Sequence, residues 1–499
     1  MINITQNGST DTAPSCADIA LTGGTVIDGT GRDRYIADVL ITADRISGIV
    51  APGTGNTTAT KTIDVTDRII APGFIDVHTH DDNAVLVNPG MAAKISQGVT
   101  TVIGGNCGIS LSPIISQELP PPLNLLGGPS AFRFPRMKDY AEAVNAASPS
   151  INIAALVGHQ TLRVGTMEDV SRKASASELD AMRELLNDCL DAGAIGFSTG
   201  LWYKPNAAAD IEEVAGLAEL LSDKGGIYTT HMRDEHDRVL DALHETFETA
   251  NRADVPVVIS HHKCAGPKNW GRTKETLQLI ESTRQNQPIS LDAYPYTAGS
   301  TVLEPQMVDE DIRIMVAWSI SHPEMAGKDL TDVATEWNIG QRDAAIRLAP
   351  AGAIYFQIDE QDVRRILTYP PTMIGSDGLP HDTHPHPRLW GTFPRVLGHY
   401  CRHEKLFSLE QAVHKMTGLS AGNFNLKDRG EVREGAFADL VVFNADTIID
   451  KATFEHPTRA AIGIDHVMVN GTIGWSHGQP TGDTSGIFLT RTQSGLESG

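Results

Sequence analysis

The sequence predicts an α/β protein: a (β/α)8 TIM-like barrel, with a small β-sandwich domain formed from both chain ends and an insertion between barrel strands seven and eight. Three observations predict it. Eight short apolar runs bounded by turns alternate with amphipathic segments. The runs are almost continuously apolar, as strands covered on both faces by helices must be. Residue types that bind metals or move protons gather where those runs end, which is where such a barrel keeps its chemistry.

The runs are "RIIAPGFID" (68–76), "VTTVIGG" (99–105), "INIAALVG" (151–158), "AIGFSTG" (194–200), "GGIYTT" (225–230), "VPVVIS" (255–260), "ISLDAYPY" (289–296) and "PTMIGSD" (371–377). Between them lie segments of helical spacing such as "SASELDAMRELLNDCLDAG" and "DEHDRVLDALHETFETAN". Eight strand–helix units favour a closed barrel, over about 70–430, rather than an open doubly wound sheet. Residues 297–371 exceed what one crossover requires and predict an inserted lid or subdomain. Residues 17–69 and 431–478 carry short β-rich runs with Gly and Asp turns, and are expected to form the two parts of the sandwich. The first 16 residues and 479–499 are polar and weakly patterned, and are expected to be disordered.

Composition narrows the function classes. At 499 residues the chain exceeds what one core usually serves. Hydrophobic residues make up 40% and charged residues 20%, with no apolar run near the ~20 residues of a membrane span. A formal charge of −22, with Lys and Arg scattered, disfavours a nucleic-acid partner. "MINITQNGSTDTAPS" has neither the basic start nor the apolar core of a secretion signal, so a cytoplasmic location is expected. The five cysteines are an odd number, widely spaced and without a CxxC pair, so no disulfide framework is expected.

The strand ends carry His78 and His80 (strand one), Cys107 (two), His231 (five), His261 (six) and Asp377 (eight). Side chains two apart on a strand face the same way, so both imidazoles of "HTH" can enter one mouth. Taken singly, each has a plain structural explanation, since a free Cys is usually a buried hydrophobe. Together they point to a metal site, and a His and thiolate set suits zinc. A nucleophilic Cys107 would compete for the same histidines. His159, at the end of strand three, has no role in this scheme and is read as structural. His381, His384, His386, Asp81 and Asp82 are read as shaping loops.

"PGFIDVHTHDD", "GNCGIS", "HMRDE", "ISHHKCAG", "DAYPYTAGST", "IGSDGLPHD", "PHPRLWGTFPRVLG" and "FADLVVF" occur in unbroken order. Together they resemble the amidohydrolase superfamily, and within it the D-aminoacylase (N-acyl-D-amino-acid deacylase) family, over about residues 18–475. The resemblance implies zinc-dependent hydrolysis of N-acyl-D-amino acids, with a zinc-activated water as nucleophile and Asp377 as general base and acid. It implies a tight Zn2+ site at Cys107, His231 and His261, and a weaker second site at His78 and His80 that Cys107 helps to bridge. It also implies a substrate-carboxylate clamp of Lys263, Tyr294 and Arg388. Many dinuclear relatives bridge their metals with a carboxylated lysine on strand four; that strand here reads "AIGFSTGLW", with Lys204 beyond it. Ser300, in "AGST", is read as lining the side-chain pocket, against a plain turn serine. The expected partner is a small-molecule substrate, with no nucleic acid and no membrane. The sequence leaves open the oligomeric state and the preferred D side chain. Two rivals stand: a hydantoin or cyclic-imide hydrolase of the same superfamily, and a non-catalytic binding module on the same fold.

Overall fold

A computed structural model of the chain describes residues 16–53 and 58–491. The disorder expected for residues 1–15 and 492–499 lies outside the described residues.

Eight parallel strands form the central sheet: β1 (Phe74–Asp76), β2 (Val99–Gly104), β3 (Asn152–Gly158), β4 (Gly196–Gly200), β5 (Ile227–His231), β6 (Val257–Ile259), β7 (Ile289–Ala293) and β8 (Thr372–Ile374). Neighbours in the chain are neighbours in the sheet, and every residue of these strands is buried, as the apolar runs require. Helices Ala176–Asp191 and Val239–Ala253 are among those that cover the outside. A capping box at Ser175 and Glu178 starts the first, satisfying backbone N–H groups that helix geometry leaves free. Among the described residues no helix is long and apolar enough to cross a membrane.

β1 and β8 share no strand ladder, and a few backbone contacts and a side-chain cluster close the seam between them. A parallel bridge joins Thr79 to Gly378, and Asp377 N donates to His78 O at 2.8 Å. Below it, Ser376 N donates to Asp76 Oδ1 at 2.7 Å. Lys94, from helix Ala92–Ile95, lies fully buried at the same place. Its ammonium donates to Asp76 Oδ2 and Ser376 Oγ, both at 2.8 Å, and pairs with Asp81 Oδ2 at 3.2 Å. Two hydrogen bonds and two neighbouring carboxylates thus surround the charge, the condition under which a buried ammonium is tolerated. Burial alone would lower the Lys94 pKa, but Asp76 and Asp81 raise it above the usual lysine value.

The run "RIIAPGFID", expected as one strand, is two. Ile69–Pro72 pairs with Leu440–Phe443 in the terminal sheet, and only Phe74–Asp76 enters the barrel. The break has a steric cause: a Cβ on Gly73 would lie 2.1 Å from Thr100 Cγ2, and Gly73 N instead donates to Asp439 O at 2.8 Å. Both chain ends build the second domain, as one continuous nine-stranded sheet rather than two separate ones. Leu21, Val39, Ile41, Ile46, Val442 and Met468 belong to its core.

The tail expected to be disordered is partly built into the fold. Gln479–Pro480 pairs with Thr472–Ser476, and Phe488 and Leu489 are each 2% exposed. Ile153 N donates to Ile487 O at 3.0 Å and Leu489 N to Ile153 O at 2.7 Å, which ties the segment to the start of β3. The short apolar run "IFL" at 487–489 explains this, since a few buried side chains and a backbone partner are enough to order a terminus.

The insertion between β7 and β8 has its own three-stranded antiparallel sheet, Gly299–Val302, Ile314–Ser319 and Ala351–Tyr355, with helices Leu330–Trp337 and Gln341–Leu348. It closes a separate apolar core that includes Val316, Leu330, Val333 and Leu348. Helix Glu360–Thr368, capped by Asp359 and still within the expected insertion, packs instead against barrel helix Thr273–Arg284.

Candidate metal centre and active site

Three of the expected site residues hold a backbone conformation that L residues rarely adopt. Cys107, His261 and Asp377, each just past a strand end, have φ of 54°, 36° and 50°. Such residues persist only where their surroundings over-determine them. At β2 the chain turns through Gly105, where any Cβ would sit 2.1 Å from Leu156 O. The turn is pinned by Asn106 Nδ2 donating to Ile103 O at 2.8 Å and by Gly108 N donating to Ser198 Oγ at 3.0 Å. His261 N donates to Asp292 Oδ1 at 2.9 Å, and Asp377 is fixed through His78 O across the seam. The backbone that makes these contacts aims each side chain into the barrel mouth.

There the side chains form two groups that share one sulphur. The ligand atoms of Cys107, His231 and His261 lie within 4.8 Å of one another, and so do those of His78, His80, Cys107 and Asp377. Cys107 Sγ is 3.2 Å from His78 Nε2 and 3.3 Å from His261 Nε2. Burial opposes thiolate formation, but His78 and His261 override it and hold the Cys107 pKa well below the usual thiol value. Lys204, the lysine beyond β4, does not take part; its side chain is 76% exposed and pairs with Glu304 at 3.0 Å.

Two carboxylates that the sequence reading did not assign orient these imidazoles. Asp292 Oδ2 is 3.3 Å from His78 Nδ1, and Glu235 Oε1 is 3.0 Å from His261 Nδ1. An outer carboxylate fixes the tautomer and ring orientation of a histidine ligand, so both groups fit a metal in donor chemistry and in support. Asp292 had left a trace, an acidic residue inside the buried run "ISLDAYPY". Glu235 had less: it is the last residue of "HMRDE" and becomes notable only once His261 is beside it.

Asp377 faces the second group. Its Oδ1 is 3.3 Å from His80 Nε2 and 3.6 Å from His78 Nε2, while its Oδ2 pairs with Arg388 Nη1 at 2.9 Å. Burial pushes the Asp377 carboxyl up, but Arg388, His80 and His78 outweigh it and hold its pKa well below the usual carboxylate range. The group is therefore held as an anion beside the two imidazoles.

Three of the four residues expected at the substrate line one pocket, and the fourth, Arg388, does not. Lys263, Tyr294 and Ser300 line the same pocket as His80, Cys107, His231, His261 and Asp377. Lys263 Nζ donates to Glu235 Oε1 at 2.7 Å and lies 5.9 Å from the centre of the Tyr294 ring. The Tyr294 hydroxyl and Ser300 Oγ are buried with no hydrogen-bond partner among the described residues. Arg388 stands one layer back: fully buried, its guanidinium lies 4.5 Å from the Tyr294 ring centre and donates to Ser300 O at 3.1 Å. Its charge reaches the pocket through Asp377 and Tyr294.

The residues read as structural are accounted for elsewhere. His159 is fully buried with Nε2 2.9 Å from Glu213 Oε1, and Arg163 pairs with the same carboxylate. His386 packs edge-on against Tyr296 and Phe454, and its Nδ1 accepts from Arg388 N at 2.9 Å. Asp81 joins the Lys94 cluster.

Known proteins share this fold. A model of the amidohydrolase family matches residues 61–319 and 343–473. The chain belongs to the amidohydrolase family. Within it, the chain is 51% identical over 475 residues to the D-aminoacylase of Alcaligenes xylosoxydans xylosoxydans, covering 95% of this chain and 98% of that one. A solved structure of N-acyl-D-glutamate deacylase from Bordetella bronchiseptica is similar along its whole length, with 44% identity, a TM-score of 0.91 and coverage of 95% of this chain and 100% of that one. That protein was crystallised with zinc and a phosphonate that mimics the tetrahedral intermediate of its reaction. A D-hydantoinase covers 95% of this amidohydrolase and 98% of its own chain, but at 14% identity and a TM-score of 0.56 it shares the fold alone.

Proposed function

We propose that this amidohydrolase cleaves the amide bond of N-acyl-D-amino acids, releasing a carboxylate and a free D-amino acid, with zinc at Cys107, His231 and His261. One observation carries the reading. The Cys107 sulphur lies between histidines of both groups, in a pocket whose wall also offers Lys263 and an unpartnered Tyr294 hydroxyl to a carboxylate. A weaker second site at His78 and His80 would share Cys107 and would border Asp377.

Zinc, when bound, polarises an acyl carbonyl and acidifies a water molecule. Asp377 accepts the proton of the attacking water and returns it to the leaving nitrogen, because an amine departs poorly as an anion. Arg388 keeps Asp377 ionised beforehand and orients it. Lys263 and Tyr294 hold the substrate α-carboxylate, which fixes the hand of the α-carbon once the amide faces the sulphur. Glu235 orients His261 and Lys263 together, and so ties carboxylate recognition to the ligand set.

The rest of the pocket favours an uncharged D side chain. Leu125, Met307, Tyr355 and Leu379 line it, while Lys263 is taken by the α-carboxylate and Arg388 by Asp377. A carboxylate side chain would find no spare cation among these residues.

Incubation with N-acetyl-D-methionine, N-acetyl-L-methionine and a hydantoin tests the reading. Methionine release from the D substrate is expected, and turnover of the hydantoin alone would overturn it. If protein prepared without chelator held no zinc, and added zinc restored no hydrolysis, the binding-module reading would replace it.

A further inference from the structure

The active-site pocket has a neighbour on the far side of Trp202 and Tyr203. This second cavity is lined mainly by apolar side chains, among them Pro120, Pro121, Val170, Pro205 and Val302. Trp202 and Tyr203 wall both spaces, and successive residues of the insertion divide between them. Thr301 and Met307 face the active site, while Val302 and Gln306 face the second cavity. Tyr203 reaches across to the insertion, its hydroxyl 3.1 Å from Thr301 Oγ1, and the Lys204–Glu304 ion pair at 3.0 Å spans the same gap at the rim.

The direction of this cavity matters for the substrate. The Trp202 and Tyr203 rings lie against His231, with centroids 6.2 and 5.1 Å away. Lys263 lies against His261 instead, its Nζ 2.8 Å from His261 Nδ1. We propose that a substrate whose α-carboxylate meets Lys263 turns the rest of its acyl group toward Trp202 and Tyr203, and that the second cavity, which those two side chains also wall, receives the hydrocarbon tail, so that the enzyme acts on D-amino acids carrying long fatty acyl chains as well as short ones. The proposal rests on the deacylase reading and adds the acyl class to it.

Specificity constants for N-acetyl-, N-butanoyl- and N-octanoyl-D-leucine, measured below micelle-forming concentrations, test it. Each methylene that leaves water for the cavity should raise kcat/KM by about threefold to fourfold. Because the tail is bound alike in ground and transition states, the gain should appear as a lower KM at nearly constant kcat. Two variants on exposed parts of the cavity wall, Ser171→Trp and Gln306→Trp, fill the space without touching the core. In each, the octanoyl-to-acetyl ratio of kcat/KM should fall by about tenfold, the equivalent of roughly two buried methylenes. Two results would overturn the proposal: constants that stay flat or fall with chain length while the acetyl substrate is turned over, or a ratio that both variants leave unchanged. No hydrolysis even of N-acetyl-D-leucine would instead overturn the deacylase reading, and the tail assignment with it.

Discussion

Two ion networks lie buried in one barrel, separated by a few residues along β1 and β8, and they are built to different rules. At the seam, the ammonium of Lys94 donates to Asp76 and Ser376 and pairs by charge with Asp81, whose Oδ2 has no hydrogen-bond partner among the described residues. At the mouth, His80 Nδ1, His231 Nδ1, the Tyr294 hydroxyl and Ser300 Oγ are buried without a hydrogen-bond partner among the described residues. Cys107, His261 and Asp377 there also hold left-handed backbone. Unmet buried polar atoms and backbone outliers both cost stability, and their clustering marks a place where a ligand completes the bonding. The contrast separates a network that closes the fold from one that waits for a metal and a substrate, although both consist of the same residue types.

The largest expected effect tests the mouth. Asp377→Asn should lower turnover by about 10²- to 10⁴-fold, the usual contribution of a positioned acid/base, while keeping zinc at Cys107, His231 and His261. Cys107→Ala should lose zinc and activity together. Zinc content and D-amino-acid release distinguish the two outcomes, and a Cys107→Ala protein with normal zinc and no activity would revive the nucleophile reading.

Lys94→Met tests the seam. It leaves two buried carboxylates uncompensated and should cost about 3–5 kcal/mol in urea unfolding. Unchanged stability would show that the backbone contacts at Thr79 and Asp377 close the barrel by themselves.

Glu235→Gln lies between the two networks in kind, because its carboxylate meets both His261, a proposed ligand, and Lys263, a proposed clamp residue. Zinc affinity should fall by about 10- to 100-fold, the usual effect of losing an outer partner. KM should rise as Lys263 loses its anchor, and a change in neither would remove Glu235 from the site.

The smallest effect on catalysis is expected at a third network, His159–Glu213–Arg163. Burial raises the Glu213 pKa, but His159 and Arg163 outweigh it and bring it from the ordinary 4.5 to about 2. A carboxyl lowered in the folded state adds stability above its unfolded pKa and loses that stability as pH falls. Glu213 should therefore support the fold above pH 4.5 and cease to do so between pH 4.5 and about 2. In Glu213→Gln the acid-unfolding curve should flatten across that window, with kcat at neutral pH little changed.

Much of the molecule was legible before any coordinates. Strand runs, their ends and the residues at those ends are local features, and the barrel places strand ends at one mouth whatever the loops do. His78, His80, Cys107, His231, His261 and Asp377 meet there because of that rule. Where the reading and the structure differ, the deciding contacts are distant in sequence. "RIIAPGFID" looks like one strand until Thr100 closes on Gly73, and the tail looks unstructured until β3 offers Ile487 and Leu489 a backbone partner.

The sequence by itself determined the fold class and the chemical identity of the mouth, since both follow from periodicity and from residue types at fixed places on strands. Only the tertiary structure decided that one sulphur belongs to two groups of candidate metal ligands, that Glu235 and Asp292 lie beside their imidazoles, and that Arg388 stands behind Asp377. Hydrogen bonding and charge pairing act over about 3–4 Å, and which side chains come that close depends on how strands far apart in the chain are brought together.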